Sequence, residues 1–430
     1  MYQPAIETMP HEELRTLQNA RLRNVLHRMY EQIPFYRQVF DELGMHPDDI
    51  KGVADLPKLP FTRKDDLRQN YPYGMFAAPA EQIARIHASS GTTGKPTVVG
   101  YTQNDLYVFD EVVARSLVTA GARPGMKLHN AYGYGLFTGG LGMHGGATRL
   151  GMAVIPVSGG MTDRQLTILQ DFGPEVICCT PSYAQTLAEE LHRRGIDPAE
   201  LPVQYAILGA EPWTETIRQQ AEKGLQVTAT NIYGLSEIIG PGVSQEAYDE
   251  QGSGSYIWED HFFPEVVDKD TGQPLPYGEE GVLVFTTLTR EGSPLLRYWT
   301  NDICTIQYDP HGGRTHIKMS DIRGRADDML IIRGVNLFYT QVEEIIHQVD
   351  YLTPNYRLIV RRAGTMDTVE VQVEVQAGAN PDSQDLTDRL RQKIKNTIGL
   401  SMDITLMRPG TIPRSQGGKL GRVVDERKPD

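Results

Sequence analysis

The chain is poor in cysteine, short of positive charge and without a long apolar run. Only Cys178, Cys179 and Cys304 stand in its 430 residues. No CxxC pair or Cys/His cluster accompanies them, which argues against a disulfide framework and a zinc site and fits a reducing cytoplasm. Lysine and arginine number 42 against 55 aspartates and glutamates, a formal charge of −13. With no long basic run, nonspecific nucleic-acid binding is not expected. No stretch approaches the roughly 18 apolar residues of a membrane span. No basic segment followed by an apolar stretch opens the chain, so no signal peptide is expected. Internal repeats and low-complexity tracts are also missing.

What remains is ordinary soluble composition, 40% apolar and 23% charged, in a chain long enough for more than one domain. Leu14, Leu17, Val25, Leu26 and Met29 recur at helical spacing and predict a helix over 11–32. Residues 55–75 are rich in proline and charge and read as irregular. Strands are expected over 83–87 and 98–101, and a helix capped by Thr102 with Asp105 three residues on. From 150 to 233 strands and helices alternate: strands at 152–157, 175–180, 203–208 and 226–233, helices at 162–172 (capped by Thr162), 182–194 and 213–223, the last stopped by Gly224. Such alternation predicts a parallel sheet with helices on its faces. Shorter strands punctuated by glycine and proline over 240–320 predict an antiparallel subdomain. Beyond 326 a strand at 329–332, a helix at 339–349, strands at 356–362 and 368–376, a helix at 385–397 and a strand at 403–407 predict a small α+β domain. The expected organisation is therefore α/β: a large domain over 1–326 and a smaller one over 327–430.

Polar segments punctuate this pattern. Ser89-Ser90-Gly91-Thr92-Thr93-Gly94-Lys95-Pro96-Thr97 offers hydroxyls, backbone N–H groups and one mobile cation, the ingredients for holding phosphate oxygens. It is not a Walker A loop, because Ser89 stands where the first glycine belongs and Pro96 where the magnesium-binding hydroxyl belongs. Tyr132 to Gly146 holds seven glycines in 15 residues, with Tyr132, Tyr134 and Phe137 interleaved. That composition suits either close packing of two elements or a pocket for a flat organic group. Gly209-Ala210-Glu211-Pro212 and Tyr233-Gly234-Leu235-Ser236-Glu237 fall at the carboxyl ends of expected parallel strands, where ligands of such sheets sit. Asp302, the segment 323–336 and Pro413–Lys419 complete the set. Taken singly, each has a plainer reading as a turn, a surface carboxylate or a solvated charge.

Together, and with Trp258-Glu259-Asp260-His261-Phe262, these segments resemble the adenylate-forming superfamily over nearly the whole chain, and within it the phenylacetate–CoA ligase family. The resemblance implies ATP as co-substrate, Mg²⁺, and CoA as acceptor. It assigns Ser89, Ser90, Gly91, Thr92, Thr93, Gly94 and Lys95 to the β- and γ-phosphates, with Ser236 also on phosphate and Glu237 on Mg²⁺. It assigns Gly209, Ala210 and Glu211 to adenine, Tyr233 to the face of its plane beside Gly234, and Asp302 to the ribose hydroxyls. Arg323 and Arg325 would approach ribose or phosphate. Tyr132, Tyr134, Phe137, Gly139 and Gly140 would form the acid pocket. Asp327, or else Asp328, would be a hinge to a mobile small domain, Gly334 would line the CoA route, and Lys419 would be the lysine of adenylation. Two departures stand out: Ser236 replaces a frequent threonine and keeps the hydroxyl, and Asn301 stands before Asp302 where relatives usually have glycine. Some relatives carry thiols near 244–313; here Cys304 is alone, so zinc is not expected.

The chemistry agrees with that assignment. A carboxylate is a poor acyl donor until its oxygen becomes part of AMP, and such phosphoryl-group transfer asks mainly for positioning and charge neutralisation. No Ser-His-Asp or Cys-His arrangement is evident. The expected activity is ATP-dependent conversion of an aromatic, phenylacetate-like acid to its adenylate and then its CoA thioester. Two alternatives stand beside it: an adenylating enzyme that loads a carrier protein or another nucleophile, and a catalytically silent nucleotide-binding regulator. A homodimer is compatible with the resemblance.

Overall fold

The computed structural model describes residues 1–89, 96–326, 330–332, 335–363, 366–414 and 421–427. Its centre is a nine-stranded sheet. Across it the strands lie in the order Ile306–Gln307, Lys318–Met319, Ser255–Ile257, Gly240–Glu246, Thr228–Leu235, Tyr205–Gly209, Val176–Cys179, Lys127–Asn130 and Ala153–Ile155. The last five run parallel, in register pairs such as Ile177 with Ala206 and Ile207 with Thr230. The other four join antiparallel, beginning where Ile232 pairs with Gln245. The parallel strands are short and apolar because helices cover them; Val176–Cys179 is buried throughout.

The intervening helices are Thr162–Phe172, Pro181–Arg194 and Glu215–Leu225. Expected cap and stop positions shift in two of them. Met161, in a left-handed conformation, precedes the first helix, and Thr162 turns its hydroxyl toward Tyr183 at 3.3 Å instead of capping. Thr214 caps the third helix, which runs through Gly224 and ends at a left-handed Gln226. The stretch 55–75 is not wholly irregular: Lys64–Gln69 is a helix whose N-terminal turn is closed by the Asp66 carboxylate accepting from Arg63 N at 2.7 Å.

The glycine-rich stretch ends in a helix, Gly139–Leu150, that sequence pattern alone left unassigned. It packs on Gln103–Thr119 through its glycines. A Cβ on Gly145 would fall 1.9 Å from Asp110 Oδ1, and one on Gly146 2.3 Å from Val113. Here the missing side chains let two helices approach closely, against the helix-weakening effect of glycine.

The hairpin Arg85–Ser89 and Thr97–Tyr101 stands beside this pair. A second sheet, Phe262–Val267, Gly281–Thr287, Tyr298–Cys304 and Gly324–Arg325, is antiparallel. Beyond it, Asp403–Met407, Met366–Val375, Leu352–Ala363 and Val423–Asp425 form a mixed four-stranded sheet. Helices Tyr339–His347 and Gln384–Ile398 pack with it around a core of its own, including Leu358, Val371, Leu386 and Leu390. The terminal strand Val423–Asp425 was not expected from sequence; three residues carry too little pattern. The fold is thus a large α/β domain with an antiparallel part and a smaller α+β domain. The expected break between 326 and 327 falls beside residues 327–329, outside the described set.

One buried carboxylate ties the hairpin region together. Asp105, in the first turn of Gln103–Thr119, accepts from Thr102 N at 3.0 Å, Glu291 N at 2.8 Å and Gly292 N at 2.7 Å. Gly100 N in turn donates to Ser293 Oγ at 2.8 Å. Asp105→Ala would strand buried donors on two segments, and each unmet buried group costs about 1–3 kcal/mol. The expected loss of unfolding free energy is about 2–4 kcal/mol, readable in urea denaturation, against about 1–2 kcal/mol for Thr102→Ala, which removes the cap and the hydrogen bond from Thr102 Oγ1 to Glu291 Oε2 at 2.8 Å.

Candidate active site

The parallel strands all point their carboxyl ends to one edge, and Gly209, Ala210, Glu211, Tyr233 and Gly234 lie there. Gly209 closes Tyr205–Gly209, and Ala210 follows in a left-handed conformation (φ +71°) that turns the chain sharply. Glu211 is then held by the helix that precedes its strand: it accepts from Ser182 N at 3.1 Å and Ser182 Oγ at 2.9 Å, at the N-terminus of Pro181–Arg194. The macrodipole there favours a carboxylate.

Tyr233 and Gly234 lie near the end of the neighbouring strand. Gly234 admits no side chain, since a Cβ would meet Gly240 O at 1.9 Å. The Tyr233 hydroxyl donates to Asp302 Oδ2 at 2.6 Å, and its ring stacks on Phe285 with centroids 6.4 Å apart. Burial, and then the adjacent Asp302 carboxylate, push the Tyr233 phenol well above its ordinary pKa. Asp302 is paired across the second sheet with Arg325, whose Nη1 lies 3.3 Å from Oδ1. Tyr233, Asp302 and Arg325 therefore form one cluster at the seam between the two sheets. Arg323 is not brought into it: its Nε pairs with Glu280 at 2.9 Å.

Asn301 resolves the departure seen before Asp302. Its φ is +67°, the left-handed region that glycine enters freely and asparagine better than most residues. Its side chain also accepts from Trp299 Nε1 at 2.8 Å. Asn301 thus adopts the backbone a glycine would and adds a hydrogen bond.

Ser236 and Glu237 follow Tyr233, both buried. Ser236 Oγ lies 3.1 Å from Thr138 Oγ1, which links this segment to the helix of the glycine-rich stretch. The Tyr298 phenol is pushed well above its ordinary value by burial first and by Glu237 next. Thr138, Ser182, Phe285 and Tyr298 all support the site and were not singled out from sequence. They are ordinary core or turn residues in pattern, so only their neighbours reveal them.

Among the acid-pocket residues, Tyr132 is buried, Tyr134 half-buried and Phe137 exposed. Tyr134 is fixed by Asn130 Nδ2, which donates to its hydroxyl at 2.7 Å and to Gly140 O at 2.8 Å. His144 Nδ1 lies 3.2 Å from the same hydroxyl. Gly139 and Gly140 seat these rings: a Cβ would come within 2.9 Å of Phe137 and 3.0 Å of Tyr134 respectively. The close-packing reading of this stretch holds at Gly145 and Gly146, where two helices meet, and at Gly139 and Gly140 the missing side chains let Phe137 and Tyr134 lie close to backbone.

Ser89 ends its strand opposite Thr97. The hairpin is tied to the aromatic stretch by one carbonyl, Leu136 O, which accepts from Ala88 N at 3.0 Å and lies 2.9 Å from His87 Nδ1. Ser90, Gly91, Thr92, Thr93, Gly94 and Lys95 lie outside the described residues, as do Asp327, Asp328, Gly334 and Lys419.

The Trp258–Phe262 stretch does structural work. Glu111, Asp260 and His261 bring potential metal-ligand atoms within 4.8 Å of one another. The cluster already contains a cation, because the buried Arg115 guanidinium reaches Asp260 at 2.8 Å and Glu111 at 2.9 Å. Although burial opposes ionisation, Arg115 and His261 hold Asp260 well below the usual carboxylate range. Arg115 also lies over the Trp258 ring, and Trp258 Nε1 donates to Ser116 Oγ at 3.0 Å.

With this geometry in view, the comparisons with known proteins decide the family. The AMP-binding enzyme family model matches residues 10–288, and the AMP-binding enzyme C-terminal domain matches 334–427. A phenylacetate-coenzyme A ligase of Thermus thermophilus is 60% identical, with all of each chain covered. The chain belongs to the phenylacetate–CoA ligase family of AMP-binding enzymes. Its fold is also that of the 2-hydroxyisobutyryl-CoA ligase, at 26% identity. The TM-score is 0.92 against the postadenylation state with 2-HIB-AMP, covering 99% of this chain and 92% of that one. Against the thioesterification state, with 2-HIB-AMP and CoA, it is 0.74 at the same coverage. Among the described residues, no helix of this family member is long and apolar enough to cross a membrane.

The Asn301 geometry makes a direct prediction. Asn301→Gly loses the hydrogen bond from Trp299 Nε1 and should lower stability by at least about 1 kcal/mol. Asn301→Val loses the bond and forces a β-branched residue into the left-handed region, for a loss of about 2–4 kcal/mol. Thermal unfolding of the two variants distinguishes strain from the loss of the bond.

Proposed function

We propose that this enzyme activates phenylacetate with ATP and transfers the acyl group to coenzyme A, releasing AMP and pyrophosphate. The observation that carries the reading is 60% identity over the full length of a phenylacetate-coenzyme A ligase. The Tyr233–Asp302–Arg325 cluster at the carboxyl edge of the parallel sheet supports it.

In the first half-reaction a carboxylate oxygen bonds to the α-phosphorus of ATP while the bond to the bridging oxygen breaks, and pyrophosphate leaves. Adenine lies against Tyr233, along Gly209, Ala210 and Glu211 beside Gly234. The ribose hydroxyls donate to Asp302, which Tyr233 and Arg325 hold in place. Ser89 to Lys95 and Ser236 bind phosphate oxygens. Arg323 reaches the nucleotide only by leaving Glu280. Lys419 offsets the charge that develops at the α-phosphate. Glu237 with the hydroxyls of Ser236 and Thr138 nearby is an oxygen-only donor set, which suits Mg²⁺. When bound, that ion neutralises phosphate charge. The aromatic acid lies among Tyr132, Tyr134, Phe137, Gly139 and Gly140. In the second half-reaction the CoA thiol attacks the acyl carbonyl and AMP leaves with the electron pair. A small domain turning about Asp327 would withdraw Lys419 and admit CoA past Gly334. Greater likeness to the postadenylation than to the thioesterification form of the 2-hydroxyisobutyryl-CoA ligase supports taking the present arrangement as the adenylating one.

Acid-dependent pyrophosphate release over a panel of aromatic acids, followed by mass spectrometry with CoA as acceptor, tests the activity. Phenylacetate should give the strongest signal and phenylacetyl-CoA the product; no signal with any acid overturns the reading. Lys419→Ala should abolish pyrophosphate release while largely retaining thioester formation from preformed acyl adenylate. Asp327→Pro should slow thioester formation more than adenylation, and equal slowing of both would remove the hinge.

A further inference from the structure

Glu189 lies on the helix Pro181–Arg194 of the large domain, the helix whose N-terminus holds Glu211. Its two carboxylate oxygens reach separate donors on the small domain. Oε1 accepts from Asn355 Nδ2 at 3.1 Å, and Oε2 from Arg414 Nε at 3.1 Å. Asn355 belongs to the long strand Leu352–Ala363, and Arg414 stands five residues before Lys419.

An exposed ion pair ordinarily contributes little, because two long side chains must be ordered to make it. Arg414 is ordered already. Its Nη1 and Nη2 donate to the buried Glu374 at 2.9 and 2.7 Å, and Nη1 also donates to Ile412 O at 2.9 Å. Ile412 N donates to the same Glu374 carboxylate at 2.6 Å. Although burial opposes ionisation, Arg414 and Ile412 hold Glu374 below the usual carboxylate range. Three of the five guanidinium N–H groups thus donate within the small domain, and the Nε–H faces Glu189. On the far side of Lys419, Arg422 pairs with Glu343 at 3.3 Å and donates to Pro354 O at 3.0 Å. The chain on both sides of 415–420 is therefore anchored to the small-domain body, and Glu189 connects that body to the large domain.

We propose that Glu189 is a positioning residue for adenylation, a latch that holds the small domain, through Arg414 and Asn355, where Lys419 serves the first half-reaction. The inference rests on the proposed role of Lys419 and on the second arrangement proposed for thioester formation. Arg414 keeps Glu374 when Glu189 lets go, so release leaves no buried charge unpaired. That is the behaviour of a latch that must open once per turnover. A contact of this size biases two arrangements without locking either.

The test measures the two half-reactions separately in the full-length enzyme, with Glu189→Ala and Glu189→Gln. Glu189→Ala should slow single-turnover pyrophosphate release roughly threefold to tenfold. Thioester formation from preformed acyl adenylate and CoA should be unchanged or faster. Glu189→Gln, which keeps an acceptor but no charge, should fall between. Raising salt from about 0.05 to 0.5 M should slow adenylation more in the parent than in Glu189→Ala, because the ion pair is partly exposed. Equal slowing of both half-reactions, or adenylation unchanged in both variants, overturns the latch. Lys419→Ala run in parallel separates the two ideas. If it abolishes pyrophosphate release while Glu189→Ala has no effect, only the latch fails; if it releases pyrophosphate like the parent, the role on which the latch rests fails as well.

Discussion

Five neighbouring strands run parallel, from Ala153–Ile155 to Thr228–Leu235, so their carboxyl ends must open on one edge. Every crossover between them needs a helix, and each helix begins at that same edge with unsatisfied N–H groups. The edge therefore concentrates polar backbone, short turns and helix N-termini in one place. Glu211 at Ser182 is the direct consequence: one strand end supplies the carboxylate and the neighbouring helix start receives it.

The strand Thr228–Leu235 is where the parallel order stops. On one side it pairs parallel with Tyr205–Gly209, on the other antiparallel with Gly240–Glu246. Beyond this change of direction the chain builds the second sheet, and the Tyr233–Asp302 hydrogen bond spans the seam between them. In open α/β sheets the point where the strand order changes is where a crevice forms beyond the carboxyl ends. The second sheet is fixed by buried charge. Arg297, in the left-handed region, pairs with Glu265 at 2.9 Å and donates to Leu59 O at 2.7 Å. Buried ion pairs of this kind add little net stability. Losing one partner is costly, and this specifies a single arrangement.

The two domains are held together differently. The large domain has an extensive buried apolar core, while the Glu189 contacts to the small domain are polar and partly exposed. The domain movement proposed above favours such contacts, since a large apolar face buried in only one of two positions would cost about 25 cal/mol per Å² to re-expose. Polar contacts can exchange for water at small net cost.

Much of this was readable in the sequence. Alternating periodicity placed four of the five parallel strands to within a few residues, because strand and helix periods are set by backbone geometry; Lys127–Asn130, which follows the helix 103–119, was not expected. The helix at 11–32 and the Thr102–Asp105 cap were local enough to be seen directly. The polar segments at strand ends were legible because apolar strands make any polar interruption conspicuous. Other features were decided only by tertiary structure. That Gly145 and Gly146 serve helix packing depends on Asp110 and Val113 lying opposite. That Arg325 joins Asp302 while Arg323 pairs with Glu280 depends on the register of Gly324–Arg325. The Arg115 network joins residues 145 positions apart along the chain, and Glu189 meets Arg414 across 225. The one-dimensional pattern determined which segments form elements, since that is a matter of neighbours along the chain. Which side chains share a site depends on distance in space, which the pattern does not encode.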